Sequence, residues 1–178
     1  MPNPYSKEEI ISDVKESASR SLDWFKAIPA SEFFHREGEV WSVSDNVDHL
    51  IKVINPISKA MRLPKVALHS MFGKPERGSK SYTEICSIYQ AKIAKGAVAA
   101  GSFLPKQEDP ANPAESKNAL LEKLSRSFDK LVAAIEKCED ETLDQIQLPH
   151  PLIGNLTVRE MLFFTIYHTL RHASQEGD

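Results

Sequence analysis

The residues best suited to chemistry in this chain are two histidines four positions apart, His168 and His172. In an α-helix, four residues at about 100° each put their side chains about 40° apart around the axis and roughly 6 Å apart along it. Two neutral imidazoles on one face at that spacing can share a divalent ion. The same spacing also arises in purely structural helices. The zinc-protease helix has a Glu directly after its first His as general base, whereas Thr169 stands there in this chain, so that motif is absent. A third ligand has to come from another helix. His49 is the candidate, because it lies in a helical stretch about 120° to 130° off its apolar stripe. A solvated surface position accounts for His49 equally well. His35, His69 and His150 fall in loops or short segments and read as surface residues. His150 keeps a minor claim through its closeness to the entry of the last helix.

The remaining reactive side chains have plainer readings. Glu160 sits two turns before His168 and about 80° away in azimuth, and it reads as the capping partner of Thr157 rather than a base. No carboxylate is placed by sequence as an obvious general base. Arg171 and Gln175 flank the histidine helix and read as solvent-facing. Trp41 reads as a packing anchor at a helix entrance rather than a substrate platform, given the apolar area an indole buries. Cys86 and Cys138 fall on helical seams and are unconvincing nucleophiles.

Four helical stretches must position these residues. Ser6 and Glu9 form a capping box for the first, whose apolar positions Ile11, Val14, Ala18, Leu22 and Phe25 recur every three or four residues before Pro29 ends it. The second follows Trp41 and a polar lead-in, Ser42 to Asn46, then runs through Val47, Leu50, Ile51, Ile54, Ile57 and Met61, with a kink expected at Pro56. Asn112 and Pro113 announce the third, a seam of Leu121, Leu124, Phe128, Leu131, Ile135 and Cys138. The fourth opens on the Thr157–Glu160 capping box and is apolar on more than one side, so it should be largely buried. The connection from Leu63 to Pro110 is too long to be structureless, and Ser81 with Glu84 should cap a short helix in it, lined by Ile85, Tyr89 and Ile93. Alternating β patterns are almost absent. The expected fold is therefore an all-α four-helix bundle, one domain over residues 1–178, with a long connection between helices two and three.

Composition narrows the function classes. The 178 residues carry 22 Lys and Arg against 25 Asp and Glu, a net charge of −3, and no charge block forms a tail. Nucleic acid is therefore not expected as a partner. Between Lys59 and Lys95 eight Lys or Arg face two Glu, a local +6 that reads as a solvated face. Two cysteines are too few for a disulfide framework, which points to a reducing, cytoplasmic setting. Met1 to Glu9 is polar, and no run of about 18 apolar residues exists, so neither export nor membrane spanning is expected.

The segment Trp41-Ser42-Val43-Ser44-Asp45-Asn46-Val47-Asp48-His49-Leu50-Ile51 resembles the first characteristic motif of the DinB-like superfamily, which includes the YfiT-type metalloenzymes. The stretch from His150 to Met161, followed by Tyr167-His168-Thr169-Leu170-Arg171-His172, resembles its last motif, and Gly96 to Pro105 is similar to a linker of one branch. The resemblance implies a four-helix bundle, a divalent metal held by three histidines, and a homodimer. All three expected positions are filled, by His49, His168 and His172. Three neutral ligands leave coordination sites for water or a small-molecule substrate, and imidazoles do not discriminate zinc from nickel. Related members are hydrolases, or transferases and isomerases that use a low-molecular-weight thiol such as bacillithiol or mycothiol. Two classes stay open: a metal-dependent enzyme, hydrolase or thiol transferase, and a non-catalytic metal-binding or structural bundle.

Overall fold

The computed structural model describes residues 5–173, and it is mostly helical. Four long helices make the bundle: α1 (Lys7–Ala27), α3 (Val43–Ala60), α6 (Pro113–Glu136) and α8 (Val158–His172). They close into a ring in which α1 meets α6 and α8, and α3 meets the same two. The short α2 (Ala30–Phe33) links α1 to α3, while α4 (Lys65–Phe72) and α5 (Tyr82–Ile93) lie in the long connection, α5 packing on α8. After α6, a short α7 (Thr142–Gln145) leads into an antiparallel hairpin of β1 (Gln147–His150) and β2 (Gly154–Thr157).

The starts expected at Ser6, Ser81 and Thr157 form as the sequence dictates, whereas α3 begins at Val43, inside the segment expected as its polar lead-in. Capping boxes close at Ser6 with Glu9, Ser42 with Asp45, Ser81 with Glu84 and Thr157 with Glu160, each satisfying two backbone N–H groups that a helix start leaves bare. Asn112 starts α6 without a side-chain cap, its amide donating to Glu115 instead (3.0 Å). Phe25, Leu50, Ile54, Leu124, Leu131, Ile135, Leu162 and Ile166 meet in a fully buried core. The inner face of α1 is Ile10, Val14, Ala18 and Phe25, with Ile11 and Leu22 only half-buried, a turn of the helix relative to the expected stripe.

The short helices α2, α4 and α7 and the β1–β2 hairpin were not expected. Helix α4 follows Pro64 and buries only Leu68, too little for an apolar period to show. The strands have four residues each, with His150 opposite Gly154 in register. In β1, Leu148 and His150 turn inward, and Pro149 costs no sheet bond because β1 has a partner on one side only. Gly154 adopts φ +80°, a conformation open to glycine, and so closes the tight turn after His150.

Helix α8 is buried along most of its length, including Arg159 and Glu160 in its first turn. Both charges are paired. Arg159 grips the Asp144 carboxylate through two nitrogens (2.8 and 2.9 Å) and also donates to Asp140 (3.1 Å). Glu160 accepts from Arg77, from the Lys80 N–H (2.8 Å) and from the Thr157 N–H (2.9 Å). Those bonds hold the Glu160 carboxyl below its ordinary range even though burial pushes the other way. Arg77, part of the locally basic stretch, is thus an anchor for α8 rather than a free surface cation.

A candidate three-histidine metal centre

Helix α8 presents His168 and His172 one turn apart, and α3, packed alongside, presents His49 to both. The His49 ring lies 5.1 Å from each of the other two, which are 4.4 Å from one another. One ligating atom from each comes within 4.8 Å of the others, so the group could hold a metal ion. The Nε2 atoms of His49 and His168 stand 3.0 Å apart. Donor atoms around a tetrahedral ion with bonds of 2.0–2.1 Å are separated by about 3.3 Å, so the spacing fits a shared cation. Among the described residues no further His, Cys, Asp or Glu joins the group, which leaves positions open for a guest.

The other ring nitrogens show how the sequence aims these lone pairs. His49 Nδ1 lies 2.7 Å from the Phe103 carbonyl, which can only accept, so this nitrogen carries the proton and Nε2 is bare. Asn46 donates through its amide to the Ser42 carbonyl (2.9 Å), and this turns its oxygen to His172 Nδ1 (2.6 Å). His172 is thereby fixed in the same tautomer. Outer bonds of this kind orient metal-binding imidazoles and set which nitrogen is bare. His168 Nδ1 is buried without a hydrogen-bond partner. Burial is the main cause that lowers the pKa of His49, opposed by the Phe103 bond. Burial, reinforced by the neighbouring His172 and His49, sets His168 well below the ordinary histidine value. Rings held neutral offer the lone pairs that a cation requires.

The motif around Trp41 builds this geometry. Ser42 and Asp45 cap α3, and Arg36 clamps the Asp45 carboxylate with two bonds (2.7 and 2.9 Å) while holding the Glu108 carbonyl (3.1 Å). The segment from Phe103 to Glu108 is therefore tied to α3 and its lead-in at four places, since Lys52 also donates to the Leu104 carbonyl (2.6 Å) and Lys106 N–H to Asp48 (3.0 Å). The Trp41 ring lies 5.0 Å from His49 and stacks on His172 at 6.4 Å, so the indole covers the centre instead of only anchoring the helix entrance. Asn46 read as part of a polar lead-in. Its place three residues before His49, on the same helix face, was the available signal.

The centre opens onto an apolar cavity of about 390 Å³ bounded by His49 and His168 on one side and by Val53, Ile57, Leu148 and Phe164 among others. His150 lines this cavity and is buried, not the surface residue expected from its loop-like surroundings. The hairpin, whose strands are too short to show a period, turns it inward. His69 binds the Gln145 carbonyl (2.8 Å), and His35 is exposed, so neither approaches the centre. Arg171 sits over the Tyr89 ring at 5.9 Å rather than facing only solvent. Gln175 lies outside the described residues. Cys86 and Cys138 are free thiols whose pKa burial raises, which makes them poor nucleophiles.

A four-helix bundle that gathers three imidazoles over an apolar cavity defines a helical protein with a centre able to hold a metal ion. The chain belongs to the DinB superfamily, whose family model matches residues 14–175. It is 27% identical over 139 residues to YuaE of Bacillus subtilis (strain 168), covering 77% of this chain and 75% of that one. It is also similar to the colibactin self-resistance protein ClbS, solved in complex with double-stranded DNA, at 18% identity and a TM-score of 0.49, over 96% of this chain and 92% of that one. The ClbS complex corrects the expectation that nucleic acid is excluded as a partner. The expectation rested on a net charge of −3 summed over the chain. Phosphate binding depends on where cations cluster, and a sum hides a locally basic stretch such as that from Lys59 to Lys95. No helix among the described residues is long and apolar enough to cross a membrane.

Proposed function

We propose that this protein is a metal-dependent enzyme in which His49, His168 and His172 hold one divalent ion, zinc or nickel, with its open positions turned to the apolar cavity. The observation that carries this reading is the convergence of the three rings with two Nδ1 atoms committed to oxygen acceptors, an arrangement that points bare nitrogens at one spot. When bound, such an ion acidifies a water or a thiol and polarises an electrophile. The chain's own residues bind and orient: Phe103 and Asn46 fix the rings, Trp41 covers them, and the cavity walls exclude water around an apolar guest.

Of hydrolysis and transfer of a low-molecular-weight thiol, the second is favoured by the state of the carboxylates. Asp45, Asp144 and Glu160 are committed to arginines, and Asp48 to Lys52 and the Lys106 N–H. None is left beside the centre as a general base, and a thiol that ionises on the ion needs none. The non-catalytic reading, a bundle in which the ion only binds or stabilises, is the alternative. Metal analysis of the purified protein and of His168→Ala tests the centre: about one divalent ion per chain is expected in the first and a large loss in the second. Equal metal in both removes His168 from the ligand set. A chelator then separates the classes, since turnover of thiol and electrophile should vanish with the ion while the fold persists.

A further inference from the structure

We infer that His150 is a fixed, uncharged hydrogen-bond donor in the cavity wall, and that the cavity takes a largely apolar molecule bearing one neutral acceptor oxygen of the carbonyl class. This names a substrate class for the site and rests on the functional reading above. The argument starts from the turn after β1. The backbone N–H groups of Leu152 and Ile153 both point at His150 Nδ1 (3.1 and 3.3 Å). A nitrogen that accepts from two N–H donors has its lone pair engaged and cannot carry a proton, so the neutral ring bears it on Nε2. A second proton would set N–H against N–H, which opposes the cationic form in the same direction as burial. No described residue takes a hydrogen bond from Nε2, and this nitrogen is not among the buried unpaired atoms, so it remains reachable from the cavity that the ring lines.

The surroundings define the partner. No Lys, Arg, Asp or Glu lines the cavity. An anion at the His150 end would lose its hydration without gaining a counter-charge there, whereas a ketone, aldehyde, ester or amide oxygen needs one donor only. The Phe164 ring meets His150 edge to face at 4.3 Å and stacks on His168 at 4.7 Å, so a single ring bridges the donor and the metal centre in one cavity wall. An acceptor oxygen held by His150 is thereby placed in the same cavity as the metal centre, a positioning role for a residue whose loop-like surroundings suggested the surface.

The test uses three naphthalenes of equal bulk, 2-acetylnaphthalene, 2-ethylnaphthalene and 2-naphthoate, titrated against chelated and zinc-loaded protein. The ketone is expected to bind roughly three- to tenfold more tightly than the ethyl compound, with the carboxylate weakest in the chelated protein. His150→Phe should abolish the ketone preference, so that the ketone and the ethyl compound bind alike. Nitrogen-15 NMR of the wild-type chain labelled at histidine should show His150 protonated on Nε2 near neutral pH, with that resonance moved by the ketone and not by the ethyl compound. A ketone preference that is absent from the wild type or survives in His150→Phe, tighter binding of the carboxylate to chelated protein, or a proton on Nδ1 overturns the inference. Should His150→Phe fail to fold, the wild-type NMR result decides alone. Failure of the metal reading shows separately, as protein that takes up no zinc yet keeps the ketone preference after chelation.

Discussion

Asn46 and Trp41 show how residues that never ligate can decide whether a histidine does. Asn46 holds His172 through Nδ1 (2.6 Å) and is itself held by the Ser42 carbonyl. Asn46→Ala is expected to weaken zinc binding about 10- to 100-fold, measured by competition with a chelating dye. Asn46→Asp keeps an acceptor and should retain most of the affinity. Trp41 offers a direct readout, with its indole 5.0 Å from the His49 ring and stacked on His172. Titration with nickel should quench its fluorescence at about one equivalent. Trp41→Phe should remove the quench, while a Trp24→Phe chain retains it, because Trp24 packs against Phe25 on α1. A quench unchanged in Trp41→Phe would place the ion elsewhere.

At the scale of elements, the start of α8 matters most, since that helix carries two of the three rings. Thr157 caps it and also meets Ser79 Oγ (2.6 Å), while Glu160 closes the box against Arg77. Thr157→Ala should cost about 1 kcal/mol of stability, read from the midpoint of urea unfolding. Since α8 stays packed between α1 and α3, the metal content per folded chain should be unchanged. The segment from Phe103 to Glu108 is an element of another kind, without regular structure beyond a single 3₁₀ turn at Gly101–Phe103 yet pinned to α3 by carbonyl, amide and side-chain bonds. Its Phe103 carbonyl makes it part of the centre, and amide exchange at Phe103, Leu104 and Lys106 should slow on zinc loading, because a bound ion fixes the ring to which that carbonyl is bonded.

Over the whole molecule, buried groups whose pKa is lowered set the response to acid. His150 falls to about 4 on burial, against an ordinary 6.5, and His49 and His168 are also lowered. A lowered histidine is neutral in the fold and takes a proton first in the unfolded chain. Its contribution is complete above about pH 6.5 and is lost as the pH falls towards the folded value. The depressed carboxyls of Asp45, Asp144 and Glu160 act in the same direction at lower pH, where protonation breaks their arginine pairs. Chelated protein should therefore lose melting temperature steadily from pH 6.5 to 4. His150→Phe should flatten the upper part of that slope if it folds. A melting temperature independent of pH over this range contradicts neutral burial.

The capping boxes of α1, α5 and α8, the α6 seam and the histidine pair at 168 and 172 are local features, readable because a cap and a period of 3.6 are written into adjacent residues. So is the DinB-type motif from Trp41 to Ile51, though not the work that Asn46 and Trp41 do within it. The meeting of His49 with that pair, the Phe103 carbonyl that sets its tautomer and the inward turn of His150 join residues 54 to 119 positions apart or lie in strands four residues long. Spacing along a chain specifies which side chains share a helix face. Only the packing of α3 against α8, and of the hairpin beneath them, decides which faces look at each other and which lone pairs point into the same cavity.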